Sequence, residues 1–185
     1  MAVSRYREHM RALLKLLPLV LVASCATGAN LRPPATVAEV DISRYMGKWH
    51  EIARLPNDFQ DQCVADNTAE YTLRDDGRID VVNRCRTADG EMETVRGIAR
   101  VQEDDSSNAK LEVSFFDILG WRPVWGDYWI IGLERDYDWA VVGHPDRKYG
   151  WILSRAPRLT DTTRERIDRL LREHGYDPEE FTETR

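Results

Sequence analysis

Between Lys48 and Arg155 the chain is a succession of short runs in which apolar and polar residues alternate, each run closed by a turn. Lys48–Leu55 comes first, with Trp49, Glu51 and Ala53 on one face and His50, Ile52 and Arg54 on the other. A loop over Pro56–Gln62 carries a lone aromatic, Phe59. In Thr68–Leu73 the residues Ala69, Tyr71 and Leu73 share a face, and Asp76-Gly77 is a strong tight-turn signal. Ile79–Cys85 returns, Asp89-Gly90 turns again, and Glu91–Glu103 sets Val95, Gly97, Ala99 and Val101 against Thr94, Arg96 and Arg100. A polar turn at Asp104–Asn108 leads to Lys110–Phe115, then to a loop rich in aromatics that holds Trp121 and Trp125. Asp127–Glu134 and Asp138–Gly143 make a hairpin around Asp136-Tyr137, and Pro145–Lys148 turns the chain into Tyr149–Arg155. Eight such strands with no helix between them predict an antiparallel meander. Eight antiparallel strands can close with no free edge around one small ligand. A two-sheet sandwich fits the same pattern.

Helical signals flank the strands. Asp41–Met46 reads as one helical turn, capped by Asp41 or Ser43 and broken by Gly47. Beyond Pro157 a helix is capped by Thr160 or by Thr162, the latter with Glu165 in capping-box spacing. Ile167, Leu170, Leu171 and His174 form one apolar stripe, and Gly175 ends the helix. A single stripe places this α-helix on the outside of the barrel. Pro178 and Phe181 follow in an extended tail that could add a strand.

The 185 residues carry a formal charge of −6, and the first 24 are set apart from the rest. Arg5, Arg7, Arg11 and Lys15 precede an apolar stretch, Leu16–Ala23, too short to span a bilayer comfortably. Val22-Ala23-Ser24-Cys25 then resembles a bacterial lipobox. The expected organisation is a lipoprotein signal peptide over 1–24, an acylated Cys25 and tether over 25–40, and the folded domain over 41–185. An ordinary secretory signal that happens to hold a cysteine is the alternative. Ala26, rather than Asp, follows the cysteine; by resemblance to sorting in enteric bacteria this favours the outer membrane, anchored by lipid, with the periplasmic face expected. Two or three acyl chains would anchor firmly where one is marginal. Without residues 1–24 the remaining 22 basic and 31 acidic residues leave a net charge of −9. Such a surface argues against nucleic acid and against non-specific docking on anionic lipid.

The chain has three cysteines. With Cys25 acylated, Cys63 and Cys85 remain as a pair, and an oxidising compartment permits a disulfide; two free thiols are the alternative. Simple register about the Asp75–Arg78 turn sets Cys85 near Thr68 and the bridge in the loop before the second strand. Its span would stabilise the fold by about 3 kcal/mol, mostly by restricting the unfolded chain.

Three stretches carry a family resemblance. Gly47-Lys48-Trp49 after a helical turn, Pro145-Asp146 before Tyr149, and Trp151–Arg155 before a helix resemble the three signatures of the lipocalins, in order and at proper spacing. The string Gly47–Asn57, with Asp75–Gly77 and Val113–Phe116, is similar to the bacterial outer-membrane branch and to apolipoprotein D. The likeness covers residues 41–181. His50 stands where tyrosine is usual, and Pro145 where many relatives carry threonine. The resemblance implies an up-and-down barrel in which Gly47, Trp49 and Arg155 close the structure, the guanidinium packed across the indole. A partly desolvated pair of this kind contributes about 1–2 kcal/mol.

Alternation anchored on Trp49 and Arg155, together with the family alignment, gives an inward set. Its expected ligand-binding members are Ala53, Tyr71, Val95, Ala99, Val113, Phe115, Tyr128, Ile130, Ala140, Val142, Trp151 and Leu153. Small residues on the fourth and seventh strands would leave room; a solidly filled barrel is the alternative. An apolar hollow open at one end suits a fatty acid or lysophospholipid, its head group near Phe59, Trp121, Trp125 or a nearby charge. The expected function is therefore a membrane-anchored carrier of small hydrophobic ligands in the cell envelope. The other readings are a structural envelope lipoprotein and a lipocalin-fold enzyme. His50 points outward by parity, no nucleophile elbow or Cys-His pair is visible, and no zinc spacing occurs. No catalytic residue, metal or cofactor is expected. Glu51 reads as a buried structural acid near a basic partner. The loop around Trp121 and Trp125 could serve a homodimer, the mouth or a membrane surface.

Overall fold

The structure, a computed structural model, describes residues 32–184. The signal segment, Cys25 and the start of the tether lie outside the described residues.

A four-residue helix α1 (Ile42–Tyr45) is followed by eight strands: β1 (Gly47–Arg54), β2 (Cys63–Leu73), β3 (Ile79–Thr87), β4 (Met92–Val101), β5 (Lys110–Ser114), β6 (Gly126–Leu133), β7 (Trp139–Gly143) and β8 (Gly150–Ser154). Helix α2 (Asp161–Glu173), a 3-10 turn (Pro178–Glu180) and a short β9 (Thr182–Glu183) complete the chain. Each strand pairs antiparallel with the next, and β1 pairs with both β2 and β8. The sheet therefore closes on itself, which decides for the barrel over the sandwich.

The closed end is built around Trp49. The Asp41 carboxylate caps α1 by accepting from the amides of Ser43 and Arg44. The Trp49 indole donates to the Tyr45 carbonyl at 2.8 Å and is fully buried. Over it lies the Arg155 guanidinium, 3.8 Å from the ring centre, donating to the carbonyls of Lys48 (2.8 Å), Arg44 (2.9 Å) and Met46 (2.8 Å). Gly47 sits beneath this cation with φ +91°, where a side chain would be strained. The expected closing trio is thus assembled in space.

β1 departs from simple alternation. Gly47–His50 pair with β2, and His50–Arg54 pair with β8 across a bulge between Glu51 and Ala53. The bulge turns Ala53 away from the interior. It packs with Ile52 and Leu55 in an outer core against Ile167 and Leu171 of α2. The expectation that Ala53 lines the hollow is corrected on this ground. β9 pairs with Ala53 and Arg54 along the edge that β2 has left, so the C-terminal tail adds the strand its sequence allowed.

Helix α2 lies on the outside, as its stripe predicts. Thr160, rather than Thr162, is the cap, its hydroxyl accepting from the Thr163 amide. Ile167 and Leu171 are fully buried.

Cys63 and Cys85 form a disulfide with Cα atoms 5.4 Å apart. Thr68 faces Arg84, one residue from the expected register, and two further shifts between Cys63 and Thr68 take up the difference. The bridge therefore lies within the irregular upper end of the β2–β3 ladder, not in a loop ahead of it.

Candidate functional site

A cavity of about 530 Å³ runs from the floor formed by Tyr45 and Met46 to the end where Phe59, Phe116, Val124, His144 and Tyr149 stand. The loops at this end are 55–62, 88–91, 115–125 and 144–149. The opposite end is closed by α1 and the Trp49–Arg155 pair.

Eight of the expected ligand-binding residues line this space: Tyr71, Val95, Ala99, Val113, Phe115, Tyr128, Trp151 and Leu153. Ile130, Ala140 and Val142 do not. They are completely buried in the inner core, and the strand partners of the latter two, Leu153 and Trp151, take the cavity surface instead. Small residues on β7 therefore leave no room for a ligand. Gly97 on β4 does not open space either: an added Cβ would lie 2.6 Å from the Phe115 ring. The glycine is a seat for that ring. Leu73 is exposed at the foot of β2. Trp121 and Trp125 are absent from the lining; Trp125 is instead covered by the Arg100 guanidinium at 4.2 Å.

β3 supplies a further wall of the cavity, outside the set expected from alternation. Ile79, Val81, Asn83 and Cys85 all line the cavity. Their alternation was present in the sequence, interrupted by the one polar member. Tyr45 and Met46, delivered from α1, had no period to announce them.

The floor carries polar chemistry. The Tyr128 hydroxyl lies 2.8 Å from that of Tyr45 and 3.0 Å from that of Tyr71. Burial pushes the Tyr71 phenol up to about 12 and holds Tyr45 and Tyr128 well above the usual range. All three are therefore neutral hydroxyls at physiological pH, linked in a chain that one polar ligand atom could join.

Half-way up, Glu51 faces the gap where β1 leaves β2. Its carboxylate accepts from Arg54 Nη1 (2.6 Å), Asn67 Nδ2 (2.9 Å), Thr184 Oγ1 (2.9 Å) and Gln60 Nε2 (3.0 Å). Gln60 Oε1 in turn accepts from the Trp151 indole at 3.0 Å. The expected basic partner of Glu51 is thus Arg54. At the mouth, His144 Nδ1 is 2.5 Å from Asp146 Oδ1 and its Nε2 is 3.8 Å from Asp127 Oδ2. Among the described residues no group of three or more His, Cys, Asp or Glu is gathered to hold a metal. The arrangement is an apolar sleeve with hydroxyls at its base, a pinned carboxylate on one wall, and charges at its rim.

The family described as "Lipocalin-like domain" matches residues 40–185. Temperature-induced lipocalin-1 of Arabidopsis thaliana is 38% identical over 143 residues, 76% of this chain and 76% of its own length. Outer membrane lipoprotein Blc of Escherichia coli (strain K12) is 35% identical over 181 residues, 91% of this chain and 96% of its own. Among solved structures, insecticyanin from the tobacco hornworm Manduca sexta is similar with a TM-score of 0.66 and 27% identity, covering 84% of each chain.

Proposed function

The chain belongs to the lipocalin family, and on that premise we propose that it carries single-chain lipids, fatty acids or lysophospholipids, in a bacterial envelope while moored to the outer membrane through an acylated Cys25. Lipocalins bind small hydrophobic ligands and are in general binding or transport proteins. The observation that carries the reading to lipids is the apolar cavity of about 530 Å³, within the ~300–1,000 Å³ usual for small-molecule sites. Each buried methylene contributes about 0.8 kcal/mol, so an acyl chain gains affinity without needing specific partners.

The anchor rests on the lipobox and on the E. coli relative, whose name is outer membrane lipoprotein. The periplasmic face is the expected side. The open interior weighs against a purely structural lipoprotein with a filled barrel.

The test is titration of protein lacking residues 1–25 with a fluorescent fatty acid. One saturable site per chain is expected, and its absence would overturn the carrier reading. Native mass spectrometry of full-length protein from its own membrane should show bound lipid. Acylation is tested separately, by the mass of the mature N-terminal peptide.

A further inference from the structure

We propose that the open end of the barrel docks on the bilayer that holds the anchor, with the β5–β6 loop inserted at the lipid surface, so that ligand passes between membrane and cavity without crossing water. This rests on the acylated Cys25 of the function proposed above for the identity of the bilayer, but the apolar end stands independently of it.

Among the described residues, every strongly exposed large apolar side chain except Leu73 lies at the open end, in its loops or in the strand ends beside them. Phe59 is there, and the β5–β6 loop adds Phe116, Ile118, Leu119, Trp121 and Val124. Leu119 is 102% exposed and Trp121 65%. Large exposed apolar side chains gathered at one pole of a molecule mark an interaction surface.

The loop is built to hold that display. Ile118 and Trp121 exchange two backbone hydrogen bonds, of 2.8 and 2.9 Å, around a two-residue turn. Leu119 and Gly120 at its tip have φ of 53° and 87°. Such a turn admits glycine or asparagine readily, and a leucine only at a cost. The Asp117 carboxylate accepts from the Gly120 amide at 2.9 Å and faces Arg122 at 3.3 Å. Arg122 donates to the Ser114 carbonyl, and the Trp125 indole donates to the Arg122 carbonyl. The chain thus fixes its most exposed leucine at the apex of a braced hairpin.

The course of the N-terminal segment identifies the occupant. The Arg32 carbonyl accepts from Arg147 Nη2 at 2.8 Å, and Arg147 belongs to the β7–β8 turn at the open end. From there the chain descends, Val37 bonding to Ile130 and Val40 to Ser107, until it reaches α1 at the closed end. Cys25 is seven residues before Arg32, which is about 25 Å at full extension. An anchor on so short a lead holds the end with the mouth, not the end with Trp49, beside the membrane. The loops of that end hold more acids than bases, with Asp58, Asp61, Asp89 and Asp117 among them. Contact is therefore apolar, and anionic lipid opposes it.

The experiment uses protein lacking residues 1–25, whose barrel, both cores and outer helix all lie within residues 32–184 and so stay whole. It is floated with vesicles of phosphatidylcholine and phosphatidylethanolamine. Co-flotation is expected, falling at least tenfold in the triple variant I118S/L119S/W121S and falling as phosphatidylglycerol replaces the neutral lipid. None of the three residues lines the cavity, so fatty-acid titration of the variant should match the parent and certifies its fold. Failure of the parent to float, equal flotation of the variant, or a parent that dimerises through this patch in sedimentation would overturn the docking proposal. Loss of fatty-acid binding by the parent would overturn the carrier reading alone. In a second arm, acylated full-length protein is reconstituted in vesicles with brominated acyl chains. Tryptophan emission is expected to be quenched, and less so in W121F; equal quenching in both counts against insertion.

Discussion

Glu51 and Arg54 meet at 2.6 Å, although three residues along a regular strand would point them to opposite faces. The bulge after Glu51 brings them to one side, and the pair then closes the gap between β1 and β2. Both side chains are nearly buried, and the carboxylate has four donors. Removing it leaves a guanidinium with its charge unmet in a poorly solvated place. Glu51→Ala is expected to destabilise the fold by about 3 kcal/mol. Urea unfolding followed by tryptophan fluorescence checks this. Unchanged stability would reduce the pair to a surface contact.

The Cys63–Cys85 bridge closes a loop of 22 residues. Replacing both cysteines by serine should lower stability by about 3 kcal/mol, chiefly by freeing the unfolded chain. Because the bridge acts chiefly on the unfolded chain, the midpoint should move further than the fatty-acid affinity, even though Cys63 and Cys85 line the cavity. Paired denaturation and binding titrations separate the two.

The phenols of Tyr45, Tyr71 and Tyr128 lose their protons at higher pH in the folded chain than in the unfolded one. Stability from this source is complete below about pH 10. Above it the unfolded chain releases protons that the folded chain keeps, so stability falls as pH rises, toward about 12 in the case of Tyr71, by up to about 1.4 kcal/mol per pH unit for each phenol that stays protonated. Absorbance at 295 nm should show the exposed tyrosines ionising first and these three only with unfolding. Simultaneous ionisation of all tyrosines in a still-folded protein would contradict the buried chain of hydroxyls. The variant Y128F should soften the alkaline transition.

Gly97 and Phe115 form a lock of opposite kind, with space on one strand and bulk on the next. Gly97→Val should cost about 1–3 kcal/mol by overpacking and weaken fatty-acid binding by displacing the ring at the mouth. Phe115→Ala on the same background should recover part of the loss. A double-mutant cycle in stability and affinity measures the coupling, and strict additivity would show that the two do not touch.

The sequence made the barrel legible because nearly every turn advertised itself, with Asp76-Gly77 and Asp89-Gly90 the clearest, and because the signature residues at the two ends of the barrel lie far apart in the chain and meet in space. Bulges carry no comparable mark. A single extra residue in β1 sent Ala53 to the outer core, and irregularities in β2 moved the disulfide into the ladder. Alternation also says which way a side chain points but not what lies in front of it. Ala140 and Val142 are packed in the inner core and yet do not line the cavity. Asn83 shows the converse: a polar residue amid an apolar set concealed a lining strand.

The first strand is stitched to β8, about one hundred residues later in the chain, and to β9, later still. Contacts of such sequence separation are slow to form, because the entropy of a long loop must be spent before they return anything. The molecule therefore cannot be completed until its last few residues are available. Until β8 arrives the first strand has one side unpaired, and only the Glu51–Leu153 and Arg54–Trp151 pairings turn an open sheet into a container.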